Sequence, residues 1–237
     1  MVKRELSQSF VILGRKRRGK TALVQRLFNH LYTRNDPQLI PFYIRIDEGP
    51  ATQMGFSLRL FCCLISQYLG FKRREPELIR NPLKLEELRE SADDPLLLDL
   101  IHKMDLCLAN NSSEQAWELA RELGHTISSI KDERIIQIID EFQFLNDRVY
   151  VEKDYQTLIT LGTFYQRTGS SKCSPQIITG SYIGWLSQIV NKMVGRYRHY
   201  HLEPLTPDEA LAGVYNYSNL LGREVTDQSA AYMAEAC

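Results

Sequence analysis

Cysteine is scarce in this chain and poorly spaced for cross-linking. The five cysteines, Cys62, Cys63, Cys107, Cys173 and Cys237, are odd in number and form no C-x-x-C pair. That argues against a disulfide framework and a zinc site, and it implies reduced thiols, buried in apolar segments, in a cytoplasmic protein. Neither sign of charge is in excess, because Lys plus Arg and Asp plus Glu both number 29. A net charge near zero gives no support to a nucleic-acid or membrane partner. The apolar runs look too short for a bilayer span, and the opening MVKRELSQSF is too polar for a signal sequence. No Asn-Lys-x-Asp guanine motif occurs, which disfavours a GTPase, and no internal repeat or low-complexity tract appears. His199 and His201 alternate with tyrosines and have no Cys or carboxylate company, so packing is the role expected of them. With 237 residues the chain has room for one substantial core, or one core with a small appendage.

What is present is concentrated between Phe10 and Leu31. The apolar run Phe10-Val11-Ile12-Leu13 stops at Gly14, four residues intervene, and Gly19-Lys20-Thr21 then opens a stretch with Ala22, Leu23, Leu27 and Leu31 at helical spacing. This is strand, phosphate loop and helix, in the context that gives G-x-x-x-x-G-K-T its meaning. Glycines let the backbone approach a polyphosphate, and the helix N-terminus adds partial positive charge where the phosphates would sit. The expected nucleotide-binding residues are Gly14, Arg15, Lys16, Arg17, Arg18, Gly19, Lys20, Thr21 and Ala22. Lys20 reaches the β- and γ-phosphates, and the Thr21 hydroxyl ligates magnesium.

A second strand, Phe42 to Ile46, follows a short polar connection, so the opening is β-α-β and the sheet is parallel. From about 51 to 132 the pattern is helical: a stripe from Phe56 to Leu69 ending at Gly70, short pieces between Lys72 and Asp94, and helices near Leu96–Leu108 and Ser113–Ile130. The aliphatic strand from Arg134 to Ile139 then runs into Asp140-Glu141-Phe142-Gln143, a pattern that suits a strand buried on both faces. Adjacent carboxylates repel unless a cation or a water needs them. Beside a phosphate loop, Asp140 is expected to hold magnesium through water and Glu141 to polarise the attacking water. A helix is expected over about Tyr155–Thr168, then a strand, Gln176 to Ile178, closing on Thr179-Gly180-Ser181. A small polar residue there is placed to bond the γ-phosphate or the lytic water. A helix over Ile183–Val194 and a last strand from Gly195 to Leu202 follow; Arg196 and Arg198 point to opposite faces of that strand, and either one is a phosphate-sensing or trans-acting arginine or each is an ordinary surface residue. Thr206-Pro207 starts a further helix.

In order, GRKRRGKT, Ile139-Asp140-Glu141-Phe142-Gln143, Thr179-Gly180-Ser181, and Gly195-Arg196 followed by Leu202-x-Pro204-Leu205 resemble the motifs of the archaeal-type P-loop ATPases. That family sits near the STAND and origin-recognition branches of AAA+ in the ASCE division. The resemblance implies a three-layer α/β P-loop NTPase with a parallel sheet in the order 5-1-4-3-2, an ATPase core over 1–205 with a helical insert, and a helical lid starting at 206. The chain stops at Cys237 in mid-pattern, as it would inside a longer protein. The resemblance also implies Lys20 and Thr21 as phosphate and magnesium ligands, Asp140 as the magnesium-associated acid, Glu141 as catalytic base, Ser181 or Thr179 as sensor, and Arg196 as charge stabiliser. Arg4-Glu5-Leu6 comes closer to the first strand than the matching segment of that family, and the Gly-x-Pro turn expected in the lid is missing.

The resulting expectation is a cytoplasmic, magnesium-dependent enzyme that binds ATP or ADP and hydrolyses ATP, working as a conformational motor or switch. The alternative is a nucleotide-binding assembly module of slow turnover, linked to nucleic acid through its relatives alone. A homo-oligomer or a partner protein is expected, and no membrane. Glu141 disfavours a kinase, which positions an acceptor hydroxyl rather than water.

Overall fold

Five parallel strands form the frame on which the candidate site is built. The computed structural model describes residues 8–16, 18–151, 155–158, 171–180 and 197–235. The chain divides into two compact units, Met1–His201 and Leu202–Cys237.

In the first unit, β1 (Ser9–Leu13) leads through the loop at 14–19 into α1 (Lys20–Arg34), which returns to β2 (Leu39–Arg45). β3 (Ala51–Thr52) precedes the helices α2 (Gln53–Arg73), α3 (Glu77–Arg80), α4 (Leu85–Ser91), α5 (Pro95–Ala109) and α6 (Ser113–Lys131). The chain then re-enters the sheet as β4 (Arg134–Asp140), turns through α7 (Phe144–Arg148) and β5 (Val149–Tyr150), and adds β6 (Gln176–Thr179) and β7 (Tyr197–His201). The strand order is β2-β4-β6-β1-β7, all parallel, which is the expected 5-1-4-3-2.

Helices cover both faces of the sheet, and the register says which residues see which helix. Tyr43 pairs with Ile138 and shares its face with Asp140, two residues on. That face looks at α1, where the Phe28 and Tyr43 rings pack 6.1 Å apart. Gln137 looks the other way, at α6, where Gly124 is required: a Cβ there would come within 2.7 Å of Gln137 Nε2 and 2.8 Å of Ser174 Oγ. The outer edge of β2 is closed by Gln67 of α2, which accepts from Tyr43 N at 2.8 Å and donates to Tyr43 O at 2.6 Å. One side chain therefore satisfies both outward backbone groups of Tyr43 at the middle of the edge strand. The core is continuous from the sheet into the helical insert, with Phe42, Phe61, Phe71, Leu97, Met104 and Leu123 fully buried.

Several details differ from expectation. The helix α2 does not stop at Gly70 but runs to Arg73, and Gly70 serves a close approach: the chain folds back through Arg74 (φ 60°), and a Cβ at Gly70 would lie 2.9 Å from Glu75 O. By length and composition α2 is long and apolar enough to cross a bilayer, contrary to the expectation that no segment is; 72% of its most apolar window is buried inside the protein. Residues 155–158 are not helical, and Leu158 instead bridges Tyr150. His199 and His201 are exposed rather than packed. Cys62, Cys63, Cys107 and Cys173 are free thiols, of which Cys62 and Cys107 are buried and the other two partly accessible. The expected helices over the later part of 155–168 and over 183–194, the segment Arg4-Glu5-Leu6, Cys237 and the site residues Arg17, Ser181 and Arg196 lie outside the described residues.

The second unit contains α8 (Pro207–Leu220) and α9 (Asp227–Glu235). Thr206 caps α8 by accepting from Glu209 N at 3.3 Å, while the Glu209 carboxylate accepts from Thr206 N at 2.8 Å, a reciprocal capping box. Tyr215 ties the two helices together by donating to Asp227 Oδ1 at 2.6 Å.

Candidate nucleotide site

The loop after β1 ends at Gly19, whose φ of 78° is a left-handed conformation that glycine adopts without penalty. A glycine cap brings no side-chain acceptor for the first-turn amides of α1, and that turn carries no acidic residue. Those amides and the helix dipole therefore favour an anion.

Lys20, only 5% exposed, folds back over the loop and donates to Gly14 O and Arg15 O, each at 2.8 Å. Burial pulls its ammonium below the ordinary lysine range, against the carboxylates of Glu141 and Asp140, which push it up. Arg15 and Lys16 are exposed, Arg18 is half-buried, and Ala22 is exposed on the first turn.

The strand order brings the acid pair to this loop. β4 and β6 end side by side, and Asp140, 1% exposed, collects donors from three elements. Its Oδ2 accepts from Thr21 Oγ1 at 2.8 Å and from the Tyr43 hydroxyl at 3.4 Å. Its Oδ1 accepts from Glu141 N at 3.0 Å and from the Thr179 hydroxyl. Thr179 is fully buried, so its hydroxyl orients Asp140. Burial, reinforced by the Asp140 charge, raises the Tyr43 phenol, which therefore stays protonated and able to donate.

Glu141 sits at the turn with φ 54°, a left-handed conformation uncommon for a residue with a side chain. The turn is held by Phe142 N donating to Thr179 O at 2.9 Å and by Ile46 N donating to Asp140 O at 3.0 Å. Gln143, fully buried, donates from Nε2 to the Glu141 carboxylate. An oxygen-only pair such as Thr21 and Asp140, on a buried floor, suits a hard divalent cation that keeps part of its water shell.

The expected residues Lys20, Thr21, Asp140, Glu141 and Thr179 thus converge, from positions up to 159 residues apart in sequence. Tyr43 and Gln143 were missed as site residues. A tyrosine interrupting the apolar run Phe42-Tyr43-Ile44 and an amide two residues after an acid pair are the signals that could have found them.

No protein-family model matches the chain, and no curated protein does. Among solved structures, a Walker-type ATPase of Pyrococcus abyssi superposes with a TM-score of 0.54 at 15% identity, over 98% of this chain and 63% of that one. The ORC2 protein of Aeropyrum pernix in its ADP form gives 0.48 at 14%, over 92% and 50%, and Cdc6p of Pyrobaculum aerophilum gives 0.44 at 14%, over 90% and 43%. The chain thus spans less than two thirds of each of these proteins. With the loop at the head of α1 and the strand order above, the first likeness is one of fold: the chain has the three-layer α/β fold of the P-loop ATPases.

Proposed function

We propose that this chain binds ATP with magnesium at the loop 14–21 and hydrolyses it by in-line attack of water on the γ-phosphate. The observation that carries this reading is the contact between Thr21 Oγ1 and Asp140 Oδ2, 2.8 Å across 119 residues, which sets an acid at the end of β4 against the start of the phosphate-loop helix.

In this reading the amides from Gly19 onward take the phosphate oxygens, and Lys20 turns from the loop carbonyls to the β- and γ-phosphates. Thr21 and Asp140 would hold a magnesium ion, which when bound would supply neutralisation of the phosphate charge. Asp140 is kept in place by Thr179 and Tyr43. Glu141, whose charge is felt by Lys20, accepts a proton from the attacking water. Ser181 or Thr179 as sensor and Arg196 as a charge stabiliser remain part of the proposal. The four free thiols support a reducing, cytoplasmic setting. A role as a conformational motor, with a second copy or a partner protein, belongs to the same reading.

One observation favours the slow-turnover alternative. The Gln143 amide occupies the Glu141 carboxylate, the group that must take the proton. Calorimetry with magnesium-ATP together with phosphate release separates the two readings. Lys20→Ala abolishes binding in either. If Gln143→Ala speeds release, the amide restrains the base and the protein is a slow switch; if it slows release, the amide positions the base of a working hydrolase. No binding heat from folded protein would sink both.

A further inference from the structure

A second group of reactive side chains lies at the other end of the sheet. Cys173 O accepts from Ile135 N at 3.0 Å, next to the first residue of β4, whereas Asp140 is the last residue of that strand. The Cys173 Sγ lies 3.4 Å from His125 Nδ1 and 3.4 Å from Ser171 Oγ, with Ser129 Oγ at 3.8 Å. His125 Nδ1 is also 3.0 Å from Ser171 Oγ, so the three groups close a triangle. His125 and Ser129 stand exposed on α6, and Cys173 is partly accessible. Cys173 also lines a cavity of about 200 Å3, with Ser128, Gln38, Glu133 and Arg134.

The other described cysteines are an internal contrast. Burial pushes the Cys62 thiol up to about 12 and raises Cys63 and Cys107 as well. Burial also raises Cys173, but hydrogen bonds from the Ser171, Ser129 and Ser128 hydroxyls outweigh it and leave the thiol below its ordinary value. The charged and titratable groups around it are His125 of α6, Asp132 and Glu133 in the turn after that helix, Arg134 of β4, and Lys172 in its own loop. Glu133 is already engaged by Lys72 and Tyr68.

We propose that Cys173, His125 and Ser171 form a thiol-modification site that takes a low-molecular-weight disulfide. His125, as the Nε2–H tautomer, accepts the thiol proton on Nδ1, and the Ser171 hydroxyl holds the resulting thiolate. The thiolate attacks one sulfur of the disulfide. The reagent's S–S bond breaks as the new Cys173–sulfur bond forms, and the departing thiolate takes the proton back from His125. Cys173 is oxidised to a mixed disulfide, and the other half of the reagent is reduced to a thiol. The cavity receives the attached group, away from the phosphate loop.

The test uses the whole chain with Cys237→Ser, so that a cysteine outside the described residues does not compete. Oxidised glutathione is the probe, and peptide mass spectrometry follows each thiol at pH 7. Cys173 is expected to react at least about tenfold faster than Cys62, Cys63 or Cys107. The substitution His125→Ala, at an exposed position, should slow it about tenfold or more without lowering the melting temperature. A Cys173 rate no faster than that of the other cysteines, or unchanged by His125→Ala, overturns the proposal. As a readout that survives a poorly folding variant, the pH midpoint for iodoacetamide alkylation of Cys173 in Cys237→Ser protein should fall below that of free cysteine; a midpoint at or above it also overturns the proposal. None of these measurements involves nucleotide, so failure here would leave the ATPase reading untouched.

Discussion

The last residue of β4 and the residue just before its first are both carboxylates, in opposite settings. Glu133 accepts from Lys72 Nζ at 2.5 Å and from the Tyr68 hydroxyl at 3.0 Å. Asp140 accepts from three hydroxyls and one amide, and among the described residues no basic side chain lies within ion-pair distance of it. Glu133 is therefore neutralised within the fold, while Asp140 is oriented by neutral donors that leave its charge available. A buried carboxylate without an ion-pair partner is costly unless a cation completes it, and the proposed role of Asp140 beside a magnesium ion would account for its contrast with Glu133.

The largest effects should follow from removing charge at the functional end. Asp140→Asn keeps the shape and reverses hydrogen bonds that rotatable hydroxyls can accept, so the fold should survive while phosphate release falls about a hundredfold or more. Magnesium-dependent ATP binding, measured by calorimetry, should weaken with it. Retained turnover would end the contrast, because Asp140 would then be one more satisfied core acid. Next comes Glu141→Gln, which should lower turnover by about 10²- to 10⁴-fold in single-turnover assays while leaving ATP affinity within a few-fold of the parent. A parallel loss of affinity would show instead that Glu141 shapes the loop.

Tyr43→Phe sharpens the comparison from the side of the donors. Its bond to Asp140 is long, 3.4 Å, so the expected cost is small, about two- to fivefold in magnesium-ATP affinity with little change in melting temperature. A melting temperature lowered by several degrees would instead give the ring's packing on Phe28 the greater share.

The positions of the phosphate loop, the acid pair and Thr179 were legible in the sequence because each is local: an apolar run, a break, and a chemistry-bearing residue at a strand end. The partner of Thr179 was not, since its hydroxyl was expected on the γ-phosphate or the lytic water and instead donates to Asp140. The strand order came from the resemblance and not from periodicity. Tyr43 was hidden because its role depends on register, the pairing of β2 with β4 that puts residue 43 and residue 140 on one face 97 residues apart. Gly70 resembled a helix stop because glycine commonly ends helices, but here the folded-back chain at Glu75 needs the missing Cβ. The ladder of β3 and β5 has two residues per strand, too few for any period to show. The Cys173 cluster joins α6 to the start of β6, and nothing in the spacing of Cys, His and Ser anticipates it.

The smallest expected effects belong to the structural carboxylates, and pH separates them from Asp140. Glu133→Gln should leave turnover unchanged and cost about 1 kcal/mol or less, since the Lys72 pair is partly exposed and the amide still accepts from Tyr68. Asp94 caps α5 by accepting from Leu96 N at 2.9 Å and pairs with Lys131 at the end of α6. Burial raises its carboxyl, but the Lys131 ammonium and the Leu96 amide outweigh it, leaving the group below its ordinary value of 3.8. A depressed carboxyl contributes stability that is fully present above its unfolded value and lost as pH falls through the folded one. Asp94→Asn keeps a good cap and removes only the ion pair, so it should be less stable than the parent by about 0.5–1 kcal/mol at pH 7. Urea unfolding at a series of pH values should show that gap closing below about pH 4, where the parent's own carboxyl becomes protonated. A gap that persists into acid would place the stabilisation in the cap and not in the charge.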